Sequence, residues 1–328
     1  MADPINFGII GAGGIARRWA EACAKVPDAQ LVGVWDLVPE AATSFCADLG
    51  GQPYPSFEAL IDDPDIAAVL ICTPNPAHCP QTIEAASSGK HVLVEKPMAL
   101  NVRDCELMIA ACEESEVQLM VGQALRFYTP FAGCLDLVRR GELGRVLGVE
   151  MLRLGAPADP AAPRGWRADE AITGGWLLEL NIHEIDYMQT LLGVPEKVCA
   201  FRSNLLKPAT PLGYDLLNVT FVAADGRQGH LLAGEIAAGP GVFQYVVLGE
   251  KMTVRWFDWG DKLHLTRPGS TSVEIIQVPA GEAQIAQLTA FCAALRGEAP
   301  VPVTGREGLD AVATCLRVQK AWESGGAA

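Results

Sequence analysis

Five short apolar runs, at residues 5–10, 30–35, 67–72, 91–94 and 118–121, alternate with stretches of helical periodicity at 15–25, 39–49, 80–88 and 102–114. Strands this short and this uniformly apolar must hide both faces from water. A parallel sheet with helices on either side does so, and right-handed crossovers leave few topologies open. After about Gln123 the rhythm changes. Helix-patterned segments at 131–140 and 175–192 flank a Pro/Gly/Ala-rich loop at 155–165. Successive β-rich runs follow from 197 to 279, with an Asp225-Gly226 hairpin turn among them. Helices at 282–296 and 306–324 close the chain. The expected architecture is a doubly wound α/β domain over 1–122, followed by an α+β domain with an open, mainly antiparallel sheet over 123–328.

With 328 residues, half of them hydrophobic and a fifth charged, the chain has material for two cores and too little charge for disorder. Its net charge, 25 − 39 = −14, argues against nucleic acid or an anionic membrane as partner. No run approaches the ~18 apolar residues of a spanning helix. The start, "MADPINFGII", lacks the basic region of a signal peptide. Ten cysteines occur with no Cys-x-x-Cys pair, mostly inside apolar runs. They read as buried, reduced thiols of a cytosolic protein rather than disulfides or zinc ligands.

The first chemical motif is Gly11-Ala12-Gly13-Gly14-Ile15-Ala16, a G-x-G-x-x-A between a strand and a helix. Its glycines permit a tight turn and let backbone N–H groups approach a pyrophosphate at the helix start, and Ala16 lets the helix sit close to the sheet. Asp36 ends the next strand, twenty residues on. A carboxylate there accepts from both adenosine ribose hydroxyls and repels a 2′-phosphate, which favours NAD. Its alternative role is a helix cap, and Arg17 and Arg18 keep NADP open. Thr73-Pro74-Asn75-Pro76 follows the third strand and Lys96 the fourth, at carboxyl ends where open parallel sheets bind ligands. His78 either touches that ligand or merely starts a helix. Lys96 lies between Glu95 and Pro97, and the proline disfavours helical backbone at the lysine.

In the second region Glu179, His183 and Asp186 are spaced i, i+4, i+7, which places them on one face of a helix. Asp186 reads as a packing partner rather than a catalyst. His183-Glu184 is not a zinc motif, because position 187 is Tyr, and no metal is expected.

"GIIGAGGIA", "TPNPAH", "GKHVLVEKPMAL", "GWR" and "GGWLLELNIHEIDYMQTLLG" resemble, in order and nearly end to end, the family of glucose–fructose oxidoreductase, inositol dehydrogenase and MocA. The resemblance implies a Rossmann NAD(P)-binding domain followed by an open-sheet α+β domain through which copies associate, as homodimers or homotetramers. It implies that Lys96 lies beside the nicotinamide and contacts the reacting substrate oxygen, where a fixed ammonium stabilises developing charge. His183 is implied as the acid/base, with Glu179 orienting it. Glu95 either positions the lysine or contacts the nicotinamide side, and Gln123 joins the cofactor-binding residues. Arg126, Trp166 and Arg167 fall where relatives line a cleft. Trp166 there stacks on a sugar, Arg167 holds the cofactor or a substrate oxygen, or each packs an interface. The chain departs from the family at Glu179, usually Asp, at Asn181, usually Gly, and at Trp176, usually a small residue that would meet substrate.

The implied function is an NAD(H)-dependent oxidoreductase moving hydride between nicotinamide and a secondary alcohol or ketone of a sugar, sugar derivative or cyclic polyol. The alternatives are an NADP-dependent reductase of a keto-sugar or small carbonyl compound, and a dinucleotide-binding regulator without catalysis. Retention of Lys96 and His183 favours the enzyme.

Overall fold

The computed structural model describes residues 3–156, 165–206, 210 and 212–326, so most of the loop expected at 155–165 lies outside the described residues. The chain forms two compact units, Met1–Ala124 with Glu282–Val312, and Leu125–Gly281 with Ala313–Ala328.

The first unit follows the βα rhythm: β1 (Ile5–Ile10), α1 (Gly14–Lys25), β2 (Ala29–Trp35), α2 (Pro39–Leu49), β3 (Gln52–Pro53), α3 (Phe57–Ile61), β4 (Ala68–Ile71), α4 (His78–Ser87), β5 (His91–Glu95), α5 (Val102–Glu114) and β6 (Leu119–Gly122). Every strand pair is parallel, in the order β3-β2-β1-β4-β5-β6. The centre is apolar on both faces: Phe7, Ile9, Ile10, Val69, Leu70 and Val92–Val94 are fully buried. Local chemistry sets the helix starts. Pro39 opens α2, the Ser56 hydroxyl accepts from Ala59 N, and the Asn101 amide oxygen accepts from Asp104 N. β3 and α3 were not anticipated, being too short to show a period. The order of strands reverses between β1 and β4, and their carboxyl ends open the crevice that such sheets use for ligands.

The second unit holds α6 (Thr129–Arg139), β7 (Val146–Gly155), α7 (Glu170–Thr173), a π-helical turn (Leu177–Asn181), α8 (Ile182–Leu192), and β8 (Lys197–Ser203), β9 (Leu216–Val222), β10 (Gln228–Glu235), β11 (Val242–Gly249), β12 (Thr253–Phe257), β13 (Lys262–Thr266) and β14 (Glu274–Gln277). Its eight strands run β14-β13-β12-β11-β7-β10-β9-β8, antiparallel throughout except that β7 and β10 are parallel. Alternate residues point into an aromatic core. The Phe131 ring lies 4.7 Å from Tyr245, 5.0 Å from Trp256 and 5.1 Å from Tyr187. The opposite face stays open, with Phe201, Leu248 and Phe257 exposed on it.

The last helices, α9 (Ala283–Leu295) and α10 (Gly305–Glu323), change the expected boundary. Residues beyond 122 were all assigned to the second domain, yet Glu282–Val312 packs within the first unit. Phe291 of α9 lies 6.4 Å from Phe7, and Arg296 and Glu282 pair with Asp28 and Lys25. Between the helices, Val303 O accepts from Val121 N at 3.0 Å and Thr304 bridges to Met120, which covers the open edge of β6.

All ten cysteines are free and eight are buried; burial pushes Cys23, Cys105, Cys112 and Cys134 up to about 12. Among the described residues no helix is long and apolar enough to cross a membrane.

Arg126 and Asp186 form a two-pronged ion pair inside the second unit, Nε to Oδ2 at 2.8 Å and Nη2 to Oδ1 at 2.6 Å, with 8% and 1% of the side chains exposed. Removing one partner strands the other charge. Arg126→Met is expected to cost about 3–5 kcal/mol of unfolding free energy, read from urea denaturation, and the double variant with Asp186→Leu should recover most of it. Unchanged stability in Arg126→Met would show the pair to be idle.

Candidate active site

In the first unit the glycine motif occupies the turn from β1 into α1. Gly11 has φ +94°, and a Cβ there would press on Thr73 Cγ2 at 3.0 Å and on the Cys72 backbone at 3.1 Å. That position is closed to other residues. Gly13 and Gly14 differ: a Cβ on either meets nothing within 4 Å, so their missing side chains leave room for a ligand to reach the backbone. Gly13 caps α1 without a side-chain hydrogen bond, and no acid sits in the first turn, where Ile15 and Ala16 follow. The helix N–H groups and dipole are thus left for an anion. These features fit the pyrophosphate of a dinucleotide.

Asp36 is fixed from both sides of its carboxylate. Oδ2 accepts from Ala12 N at 2.7 Å and Oδ1 from Val38 N at 2.9 Å. It lines a cavity of about 470 Å³ together with Glu58 and Glu84, and no Lys or Arg is among the lining residues. Of the two arginines that keep NADP open, Arg17 pairs with Asp48 at 2.9 Å and Arg18 is exposed. An adenosine with free ribose hydroxyls suits this wall, and a 2′-phosphate meets repulsion.

At the next strand ends, His78 is fully buried, with Nδ1 2.9 Å from Pro97 O and Nε2 2.9 Å from Thr73 O. Burial holds its pKa below the usual histidine value. It therefore ties the Thr73-Pro74-Asn75 loop to the Lys96-Pro97 loop, which makes it a brace between strand ends. Asn75 is buried, and Thr73 Oγ1 donates to Gln81 at 2.6 Å. Gln123, just past β6, is fully buried, and neither polar atom of its amide has a partner among the described residues. A buried amide in that state fits a place for a polar ligand or water.

Lys96 is half-buried, and its peptide bond to Pro97 is cis. Its backbone N–H donates to Glu95 Oε2 at 3.2 Å, while Glu95 Oε1 accepts from the Trp19 indole N–H at 2.8 Å. These hydrogen bonds tie Glu95 to the Lys96 backbone and to α1. Trp19, on α1 and fully buried, was missed as a contributor. Its spacing in an amphipathic helix reads only as core, and nothing local reveals that its N–H must find a carboxylate.

In the second unit Glu179 belongs to the π turn, and His183 to the first turn of α8. The i, i+4, i+7 face expected of a regular helix is therefore widened by one residue at its start, a feature frequent at functional sites. Gly174 and Gly175 let the chain enter the turn; Gly175 has φ +84°, and a Cβ there would collide with Leu212 Cβ at 2.4 Å. Glu179 Oε1 accepts from Arg167 Nε at 3.0 Å, and the guanidinium lies 4.3 Å over the Trp166 ring. The structure thus brings Trp166, Arg167 and Glu179 together, with His183 half-buried four residues on. Trp176, half-buried at the start of the π turn, packs edge-on to Tyr214 with ring centroids 6.3 Å apart. Arg126 is engaged with Asp186. Among the described residues no group of three or more His, Cys, Asp or Glu gathers as for a metal.

A glycine-cradled crevice, an acidic ribose wall and a braced lysine define a dinucleotide-binding Rossmann unit, here paired with an open-sheet unit. Residues 5–123 match the oxidoreductase family with an NAD-binding Rossmann fold, and residues 131–255 match the GFO/IDH/MocA C-terminal domain. The chain belongs to the GFO/IDH/MocA oxidoreductase family. It is 27% identical to a 1,5-anhydro-D-fructose reductase of Ensifer adhaerens, over 98% of both chains. It is 31% identical to an inositol 2-dehydrogenase of Rhizobium meliloti, over 68% of this chain and 67% of that one. Two other curated relatives are covered over only 54% and 60% of their length. The fold is that of levoglucosan dehydrogenase solved with NADH and levoglucosan, at TM-score 0.89, 23% identity and 98% coverage of each chain.

If the Asp36 carboxylate selects the cofactor, Asp36→Ser should raise the KM for NAD about tenfold or more and narrow its advantage over NADP, since a hydrogen bond to a charged group contributes about 1.5–3 kcal/mol. Steady-state kinetics with both dinucleotides would decide it. An unchanged NAD/NADP ratio would relieve Asp36 of that role.

Proposed function

We propose that this protein is an NAD(H)-dependent dehydrogenase acting on a secondary alcohol of a sugar, sugar derivative or cyclic polyol, and on the matching ketone in reverse. The observation that carries the reading is Lys96, set at a strand end of an intact dinucleotide crevice with its backbone N–H held by Glu95 Oε2. When bound, the nicotinamide supplies the hydride acceptor. Gly13, Gly14 and the start of α1 hold the pyrophosphate, Asp36 the ribose, and Gln123 offers a buried amide. Lys96 stabilises the charge that grows on the carbinol oxygen as its carbon loses hydride. His183 takes the hydroxyl proton and returns it in reduction. Glu179, held by Arg167, keeps a carboxylate near the start of His183's helix. The relatives named as a reductase of 1,5-anhydro-D-fructose and a dehydrogenase of inositol support a ring-shaped polyol as substrate.

Lys96→Ala and His183→Ala should each lower kcat/KM about 10²–10⁴-fold on whichever polyol is oxidised, with NAD binding by calorimetry preserved. Full turnover in Lys96→Ala would remove the lysine from the chemistry.

The open sheet face supports self-association. Phe201, Leu248 and Phe257 are 62%, 38% and 42% exposed on one surface, a pattern that favours burial against a second copy. Light scattering should give a dimer or tetramer that Phe257→Asp weakens; a monomeric wild type at micromolar concentration would refute it.

A further inference from the structure

Asn181 stands where the π turn gives way to α8, at the cap position of that helix, yet its side chain caps nothing. An asparagine there ordinarily accepts from a backbone N–H of the first turn. This one is drawn aside to other partners. Its Oδ1 accepts from the Tyr214 hydroxyl, and its Nδ2 donates to Glu184 Oε2 at 3.0 Å. Glu184 Oε1 in turn accepts from Arg153 Nη1 at 2.7 Å. Tyr214, Asn181 and Glu184 are all buried. Donation runs one way, from Tyr214 through Asn181 to Glu184, which fixes how the amide faces.

The partners on the sheet side are themselves held. Tyr214 precedes Asp215, whose N–H donates to Ser203 O at 2.9 Å and whose carbonyl accepts from Glu235 N at 3.1 Å, so this stretch is tied to β8 and β10. The Tyr214 ring lies edge-on to Trp176 and Trp322, with centroids 6.3 and 6.0 Å away. Burial and the nearby Glu184 carboxylate push its phenol well above the usual tyrosine value, so it keeps its proton and remains a donor. Arg153 belongs to β7. Two residues fixed by the sheet thus grip two residues of the helical segment, 181 and 184, on either side of His183 in the chain.

A π turn is rare, and a chain free to do so takes the α-helical i→i+4 ladder instead. Each α-helical residue turns the chain by about 100°. Relaxation of the turn would therefore rotate the residues ahead of Asn181, Glu179 among them, relative to His183. Alanine or glycine at 181 could make neither side-chain bond. We propose that Asn181 and Tyr214 are positioning residues, whose hydrogen bond latches the π turn and so sets where Glu179 stands relative to His183. The inference rests on the reading above of His183 as the acid/base, and it adds two residues that act through that one.

The test compares the full wild-type chain with Tyr214→Phe, which removes one hydroxyl and keeps the ring, with Asn181→Ala, and with the two combined, each checked for folding by circular dichroism. With NAD and myo-inositol or D-glucose, each single variant should lower kcat about 10–100-fold and leave the KM for NAD unchanged. The combined variant should be no slower than Asn181→Ala alone, because both act through one bond. A second readout needs no turnover. His183 is one of five histidines, so its ring Cε1–H proton resonance can be assigned by its loss in His183→Gln. In the ligand-free protein that resonance should titrate about 0.5 pH unit lower in Tyr214→Phe and in Asn181→Ala, as a carboxylate that favours the imidazolium moves away. His183-dependent turnover that Tyr214→Phe leaves intact, with an unmoved titration, would sink the latch and spare the dehydrogenase reading. A shifted titration with no oxidation of either ring would keep the latch and tell against that reading. A lowered melting temperature with kcat and titration both unchanged would reduce the bond to packing and overturn the inference.

Discussion

A carboxylate buried at the end of a central strand must find hydrogen bonds, and the groups that satisfy Glu95 set up the chemistry of the first unit. With 9% of its surface exposed, it accepts from the Trp19 indole and from the Lys96 backbone N–H. Leaving such a group unsatisfied costs more than a hydrogen bond adds, so the pairing is effectively obligatory. Because Trp19 rides on α1, one helix serves two purposes. Its first turn leaves N–H groups open to an anion, and its second turn steadies the residue before the lysine. His78 adds a tie from Thr73 to Pro97, so the loops after β4 and β5 hold each other.

The second unit solves a comparable problem with ion pairs. Glu184 and Asp186 are two residues apart on α8, which puts them about 200° apart around its axis. Arg153 takes the first and Arg126 the second. A helix whose two buried carboxylates are paired on opposite flanks cannot roll without breaking one of the pairs. His183, next to Glu184 in the chain, inherits that fixed orientation. Buried pairs contribute little net stability over apolar packing, but they penalise misplacement heavily. Orientation is what the acid/base role proposed for His183 needs.

The parts of this arrangement that were legible in the sequence are those governed by local pattern. The strands of the first unit, the G-x-G-x-x-A turn and Asp36 follow from periodicity and spacing, and β1, α2 and α5 begin and end where the pattern put them. What escaped depends on distant partners or on chain too short to carry a period. β3 has two residues and α3 five. Residues 282–312 looked like a tail of the second domain because they follow it in the chain, yet Phe291 and Val303 find their partners near the beginning of the sequence and along β6. The π turn at Leu177–Asn181 is invisible to an i, i+4 count, which assumes a regular helix. Trp19 was legible as core and illegible as a donor.

Charge placement ties the binding features together. The start of α1 suits a pyrophosphate such as NAD carries, because the first turn has no acid and the glycines leave the backbone open. The cavity that Asp36 lines also carries Glu58 and Glu84. It is a poor home for a further phosphate. Hydroxyl-rich ligands can pair with carboxylates without importing charge, whereas anions must overcome them in surroundings drier than bulk water. Selection by repulsion needs few specific contacts, so residues can vary widely along the walls provided the sign of the charge is kept. An acidic protein can thus offer a helix terminus to a pyrophosphate and still disfavour a further phosphate beside Asp36.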